Sequence, residues 1–127
     1  MGKTTVTAHK TKHTDESLGY RFTSATGHVV AISGDTGFDA SIVPLIKDAD
    51  IAVLECSYDD ADYEKTKSFF NHLGPTAAGT LAQQASAKTL VLTHLYPSAL
   101  SVDIVGIAKK VFDGTVVMAV DGKQITI

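Results

Sequence analysis

Three apolar runs constrain this chain more than any other feature: HVVAIS over 28–33, IAVLEC over 51–56 and TLVLT over 89–93. They are too short for core helices and rich in β-branched residues, so they read as strands. They are apolar at successive positions rather than at alternate ones. A strand of that kind needs cover on both faces of its sheet. Each run also delivers an ionisable residue at its end. Asp35 follows the first in Ser-Gly-Asp-Thr-Gly, Glu55 lies at the end of the second, and His94 follows the third.

The segments between these runs supply the rest of an α/β (α+β) chain with a mixed sheet, read as one domain over 1–127. Leu18–Ser24 alternates Tyr20 and Phe22 with Arg21 and Thr23, a half-buried strand; Val6 and Ala8 give a weaker strand signal. Ala25–Gly27 reads as a turn. A helix is expected from Ser41 to about Lys47, with Pro44 tolerated in its first turn. A second, capped by Asp59 or Asp60, carries Tyr63, Phe69 and Phe70. A third runs from Pro75 to about Ala87 and buries Ala78, Leu81, Ala82 and Ala85. A fourth, capped by Ser101, turns Ile104, Ala108 and Val111 to one side. Thr115–Val120, a turn at Asp121-Gly122 and Lys123–Ile127 read as a closing hairpin.

Charge and cysteine usage narrow the partners. A net charge of −3 on 127 residues exerts no general pull on nucleic acid or anionic lipid, so neither a membrane nor a nucleic-acid partner is expected. Cys56 is the only cysteine, so no internal disulfide forms and a reducing, cytoplasmic setting is expected. No apolar run approaches the roughly 18–20 residues of a membrane span. The first residues lack the apolar centre of a signal peptide.

Taken singly, the polar residues have ordinary structural readings. Asp35 between glycines makes a turn, Glu55 a solvated strand end, His72 a loop residue, and His94 a hydrogen-bonded structural histidine. Cys56 reads as a small buried hydrophobe, and His9 and His13 as strand or loop residues rather than ligands. Taken together, Asp35, Glu55 and His94 project from three strand ends, where open α/β sheets place their ligands. A carboxylate and an imidazole are suitable zinc ligands, although a catalytic zinc normally takes three protein ligands.

The ordered set SGDTG, LECSY, HLGP before a helix, and LTHLYP resembles the C-terminal half of the metallo-β-lactamase fold hydrolases. It is most similar to the branch with ribonuclease Z-like and cyclic-nucleotide phosphodiesterase-like members. SLGYRFT and AVDGKQITI extend the likeness over about residues 13–127. The resemblance implies that Asp35 bridges metal ions and that His94 is a metal ligand. It implies that Glu55 and His72 form an acid–histidine pair near the scissile phosphate. It also implies a divalent metal, zinc first, with manganese or iron as alternatives. The family's histidine-rich cluster and the histidine ligand that follows it belong to an N-terminal half and find no match here.

The resemblance also sets the fold expectation. The complete fold is a four-layer αββα sandwich, and this chain corresponds to half of it, one mixed sheet with helices on one face. The apolar second face then needs a cover, and a two-fold homodimer is expected to provide it. Three functional readings follow: a metal-dependent hydrolase of phosphoester or related small substrates, incomplete as an isolated chain and in need of further ligands from His72, His13 or a partner chain; a degenerate, non-catalytic half-domain that dimerises or binds a partner; or a shortened product of a full-length hydrolase.

Overall fold

The computed structural model describes residues 2–127. Six strands form one sheet in the order β1-β2-β3-β4-β5-β6. They are β1 (Thr5–Lys10), β2 (Leu18–Thr23), β3 (Val29–Ile32), β4 (Ile51–Glu55), β5 (Thr89–Thr93) and β6 (Thr115–Met118). The first three pair antiparallel, and from β3 onward all pairs are parallel. Each parallel pair needs a crossover: α1 (Ile42–Ile46), then α2 (Asp60–Thr66) with α3 (Pro75–Gln84), then α4 (Pro97–Leu100) with α5 (Ile104–Ala108). Crossovers are right-handed, and β3 to β6 advance across the sheet in one direction. All the crossover helices therefore fall on the same face.

Register shows the consequence. Ala31, Ala52, Leu90 and Val116 lie side by side and pack with Leu54 and Leu92 against Ile42, Leu45, Ile46 and Leu81. The opposite face carries Val30, Ile32, Val53, Val91 and Val117, continued by Phe22, Tyr20, Leu18 and Val6. Ile32 is 40% exposed, Tyr20 41%, Leu18 44% and Val6 54%, whereas Ile51 and Val91 are buried, so this apolar face carries no helical layer and is most open over β1–β3. The N-terminal ends of β3–β5 are pinned by Asp50, which accepts from Val29 N at 2.8 Å and from Lys88 Nζ at 2.7 Å. The Lys88 hydrogen bond, with the Val29 amide, holds its carboxyl down at about 2. Among the described residues no helix is long and apolar enough to cross a membrane.

Several boundaries differ from expectation. The Asp121-Gly122 turn forms, with Lys123 N donating to Val120 O, but Lys123–Ile127 adds no strand. Ile125 and Ile127 find no layer to pack on at that edge, and an outer strand without burial is marginal. The α2 helix is capped by Asp59, which accepts from Asp62 N, but stops at Thr66. Phe69 and Phe70 lie beyond it, exposed, because the polar stretch Glu64–Ser68 gives the helix no apolar face to continue. The cap of α5 is Asp103, accepting from Gly106 N, while Ser101 ends the short α4. Ser41 precedes α1 without a side-chain capping bond.

Candidate metal centre

The site is built where the strands end. Past β3 the chain turns at Gly34, with φ +61; a side chain there would also meet Leu18 O at 3.1 Å. The turn leaves Asp35 at the rim, its side chain 42% exposed. Residues 11–13 lie against this loop: Thr11 Oγ1 donates to Asp35 O, Lys12 N to Thr36 Oγ1, and Gly37 N to Lys12 O at 2.7 Å.

Glu55 has the register of Ile51 and Val53 on the uncovered face, yet it is 1% exposed. The loops at 36 and 73 close over it. Its oxygens accept from Thr36 N at 2.8 Å, Ser57 Oγ at 2.7 Å, His72 Nδ1 at 2.8 Å and Leu73 N at 3.1 Å. Four donors on one buried carboxylate fix its orientation and leave no room for substrate contact. It is no solvated strand end. With Nδ1 committed to Glu55, His72 has Nε2 left for other chemistry.

His94 leaves β5 with φ +56 and sets Nδ1 2.9 Å from Ser57 Oγ and 3.5 Å from Asp35 Oδ1. Asp35, His72 and His94 each bring a ligand atom to within 4.8 Å of the others. One carboxylate oxygen with imidazole nitrogens suits a divalent ion such as zinc, manganese or iron, so the donor set fits a metal. A pocket of about 90 Å³ lies between Asp35, Glu55 and His94 and is also lined by Ile32 and Val53. The Tyr96 ring centroid lies 5.2 Å from that of His94, and the Tyr58 centroid 5.8 Å from that of His72.

The four residues singled out in the sequence thus come together. Two others join them. His13, a strand or loop residue taken singly but a candidate for the further ligands a hydrolase would need, places Nε2 3.9 Å from Asp35 Oδ2 and its ring 4.9 Å from His72. Its Nδ1 lies 3.0 Å from Asn71 O, where Nδ1–H donates to the carbonyl, and this directs Nε2 toward Asp35. Ser57, fully buried, was not foreseen; the signal was its place two residues after Glu55 in LECSY. His9 lies within β1, opposite Gly19, outside the cluster. Cys56 is buried, and burial, reinforced by the charge of Glu55, pushes its thiol up to about 12, which rules it out as a nucleophile at neutral pH.

Known proteins resemble this chain in sequence and in fold. Residues 2–95 match the model of the β-lactamase superfamily domain. The Bacillus subtilis protein YhfI, described as a probable metallo-hydrolase, is 34% identical over 121 residues, covering 95% of this chain and 48% of that protein. Its crystal structure superposes with a TM-score of 0.79 over 91% of this chain and 46% of that one. Ribonuclease Z of Geobacillus kaustophilus is 35% identical over 92 residues, 70% of this chain and 30% of that protein. The human short-form tRNase Z superposes with a TM-score of 0.77 at 28% identity, over 98% of this chain and 44% of that one. The chain spans less than half the length of each of these relatives. With the fold, the strand-end cluster and these matches in hand, the chain is a member of the metallo-β-lactamase superfamily of hydrolases.

Proposed function

We propose that this chain carries one edge of a metal-dependent phosphoester hydrolase site, with Asp35 and His94 as metal ligands and His72 as the proton-handling group. The convergence of Asp35, His72 and His94 at three loop origins carries this reading. Zinc is the expected ion, with manganese and iron suited to the same donors. When bound, such an ion supplies Lewis acidity toward a phosphoryl oxygen. His13 Nε2 faces the same carboxylate as a further donor.

The chain's own residues do the rest. Glu55 holds the His72 ring by Nδ1 and favours an imidazolium there once it forms. His72 Nε2 is then placed to give a proton to a leaving oxygen or to stabilise its charge. A cleft of about 180 Å³ beside His72 is lined by Lys12 and Lys67, which suit an anionic substrate. Lys67 is shared with Glu64 at 2.6 Å. Relatives named ribonuclease Z support the phosphoester class. In this reading the uncovered sheet face is closed by a second copy of the chain.

Metal analysis of the purified protein, with turnover of bis(p-nitrophenyl) phosphate, tests the proposal. Bound zinc, manganese or iron that is lost in Asp35→Ala and His94→Ala supports it. No metal in the parent chain, and no change in uptake in either variant, overturns it. A metal-free chain that still self-associates through its bare face supports the partner-binding reading instead.

A further inference from the structure

We infer that Ser57 is a positioning residue that decides which ring nitrogen His94 presents to the metal centre. The argument is a count of protons. Ser57 Oγ has one hydrogen, and Glu55 Oε2 takes it at 2.7 Å. A carboxylate offers no proton in return. At its other contacts Ser57 Oγ therefore accepts. His94 Nδ1, 2.9 Å away, must be the donor. The nearby Asp35 Oδ1, at 3.5 Å, points the same way, since a bare Nδ1 would set its lone pair against two oxygens.

His94 is thus held as the Nδ1–H form, and Nε2 carries the lone pair that a metal requires. Ligating histidines commonly fix their tautomer by giving the second ring proton to a carboxylate or carbonyl. Here a buried hydroxyl takes that part, polarised by Glu55 behind it. One carboxylate therefore orients two imidazoles, His72 directly at 2.8 Å and His94 through Ser57. Ser57 Oγ also lies 3.3 Å from His72 Nδ1, a weaker contact than the one His72 makes with Glu55.

The test is nitrogen NMR of the metal-free full chain, labelled with ¹⁵N-histidine, at about pH 8.5, above the ordinary imidazole range. The parent chain should show His94 with a protonated Nδ1 and a bare Nε2. Ser57→Ala should give a mixture of tautomers at His94, while His72, held by Glu55, stays unchanged as an internal control. Ser57→Thr, which keeps the hydroxyl, should restore the parent signature. In zinc titrations Ser57→Ala should bind about 10–100-fold more weakly, and Ser57→Thr close to the parent. A bare Nδ1 on His94 in the parent overturns the inference. So does a Ser57→Ala chain with unchanged tautomer and unchanged zinc affinity. Should Ser57→Ala not fold, the spectra of the parent and of Ser57→Thr decide the matter: a bare Nδ1 in either overturns it. The zinc arm rests on the metal-site proposal, whereas the tautomer arm does not. If the parent binds no metal, the functional reading fails and the metal-free spectra still decide the role of Ser57.

Discussion

Among the described residues, three without glycine's freedom have positive φ: Asp48, Ser86 and His94. The first two follow the C-caps of α1 and α3, where a left-handed residue ordinarily ends a helix. His94 ends no helix. It takes φ +56 straight after β5, at a cost of about 1–2 kcal/mol for a residue with a Cβ. Strain of this kind collects at functional sites. Replacing His94 by alanine or glycine removes the same ring, the same Ser57 contact and the same proposed metal ligand. Only glycine releases the backbone strain. His94→Gly should therefore be more stable than His94→Ala by about 1 kcal/mol in urea unfolding, with metal uptake lost in both. Equal stabilities would show that the turn costs nothing. The residues that sequence reading found, Asp35, Glu55, His72 and His94, stand at the ends of apolar runs or before a helix, where an ionisable group is conspicuous. His13 and Ser57 were obscured for different reasons. His13 sits 22 residues before Asp35 in a polar stretch and reaches the site only because residues 11–13 bond to the loop at 35–37. Ser57 looks like any loop serine until the burial of Glu55 makes it a necessary donor.

At the scale of elements, the strands were the legible part. Their apolar runs and alternation are local properties; the strand expected over Lys123–Ile127, which lacks an apolar run and a layer to pack on, is the one that does not form. Helix ends were less so, because a short helix stops where packing stops. Phe70 lies seven residues after Tyr63, at helical spacing, yet it and Phe69 are exposed. The same dependence on packing explains Gly79 within α3, where glycine costs a helix about 1 kcal/mol relative to alanine. On propensity alone Gly79→Ala should stabilise. In the structure a Cβ at this position would meet Ala108 O at 2.9 Å and Val111 Cγ2 at 2.8 Å, where α3 lies on α5 and the turn that follows it. The Val111 side chain has some freedom to move, but the Ala108 carbonyl belongs to backbone. Overpacking should win, and Gly79→Ala should lower stability by about 1–3 kcal/mol, measured by urea unfolding. A more stable variant would mean that α5 yields readily, and that the glycine answers to something other than the closeness of the two helices.

At the scale of the whole molecule, the uncovered face and the site belong to one problem. The one-directional strand order puts every crossover helix on one side, so local sequence has no means of covering the other. That other side carries β-branched and aromatic residues from all six strands, an apolar expanse of a kind that monomers rarely leave in water. The pocket between Asp35, Glu55 and His94 is also lined by Ile32 and Val53 of this same face. Whatever covers the sheet therefore also borders the candidate metal centre. A second copy of the chain offers a face of the same width and the same apolar character, and two sheets pack face to face at about 10 Å with strands within about 30° of one another. Light scattering at micromolar concentration should then give twice the 13.4 kDa chain mass. Ile32 is 40% exposed in the isolated chain, so Ile32→Lys costs the single fold little but sets a charge in the middle of the proposed interface. The variant should fold and run as a monomer. A monomeric mass for the folded parent chain would overturn the dimer. A dimer that persists in Ile32→Lys would place the interface elsewhere and leave the apolar face without its proposed cover.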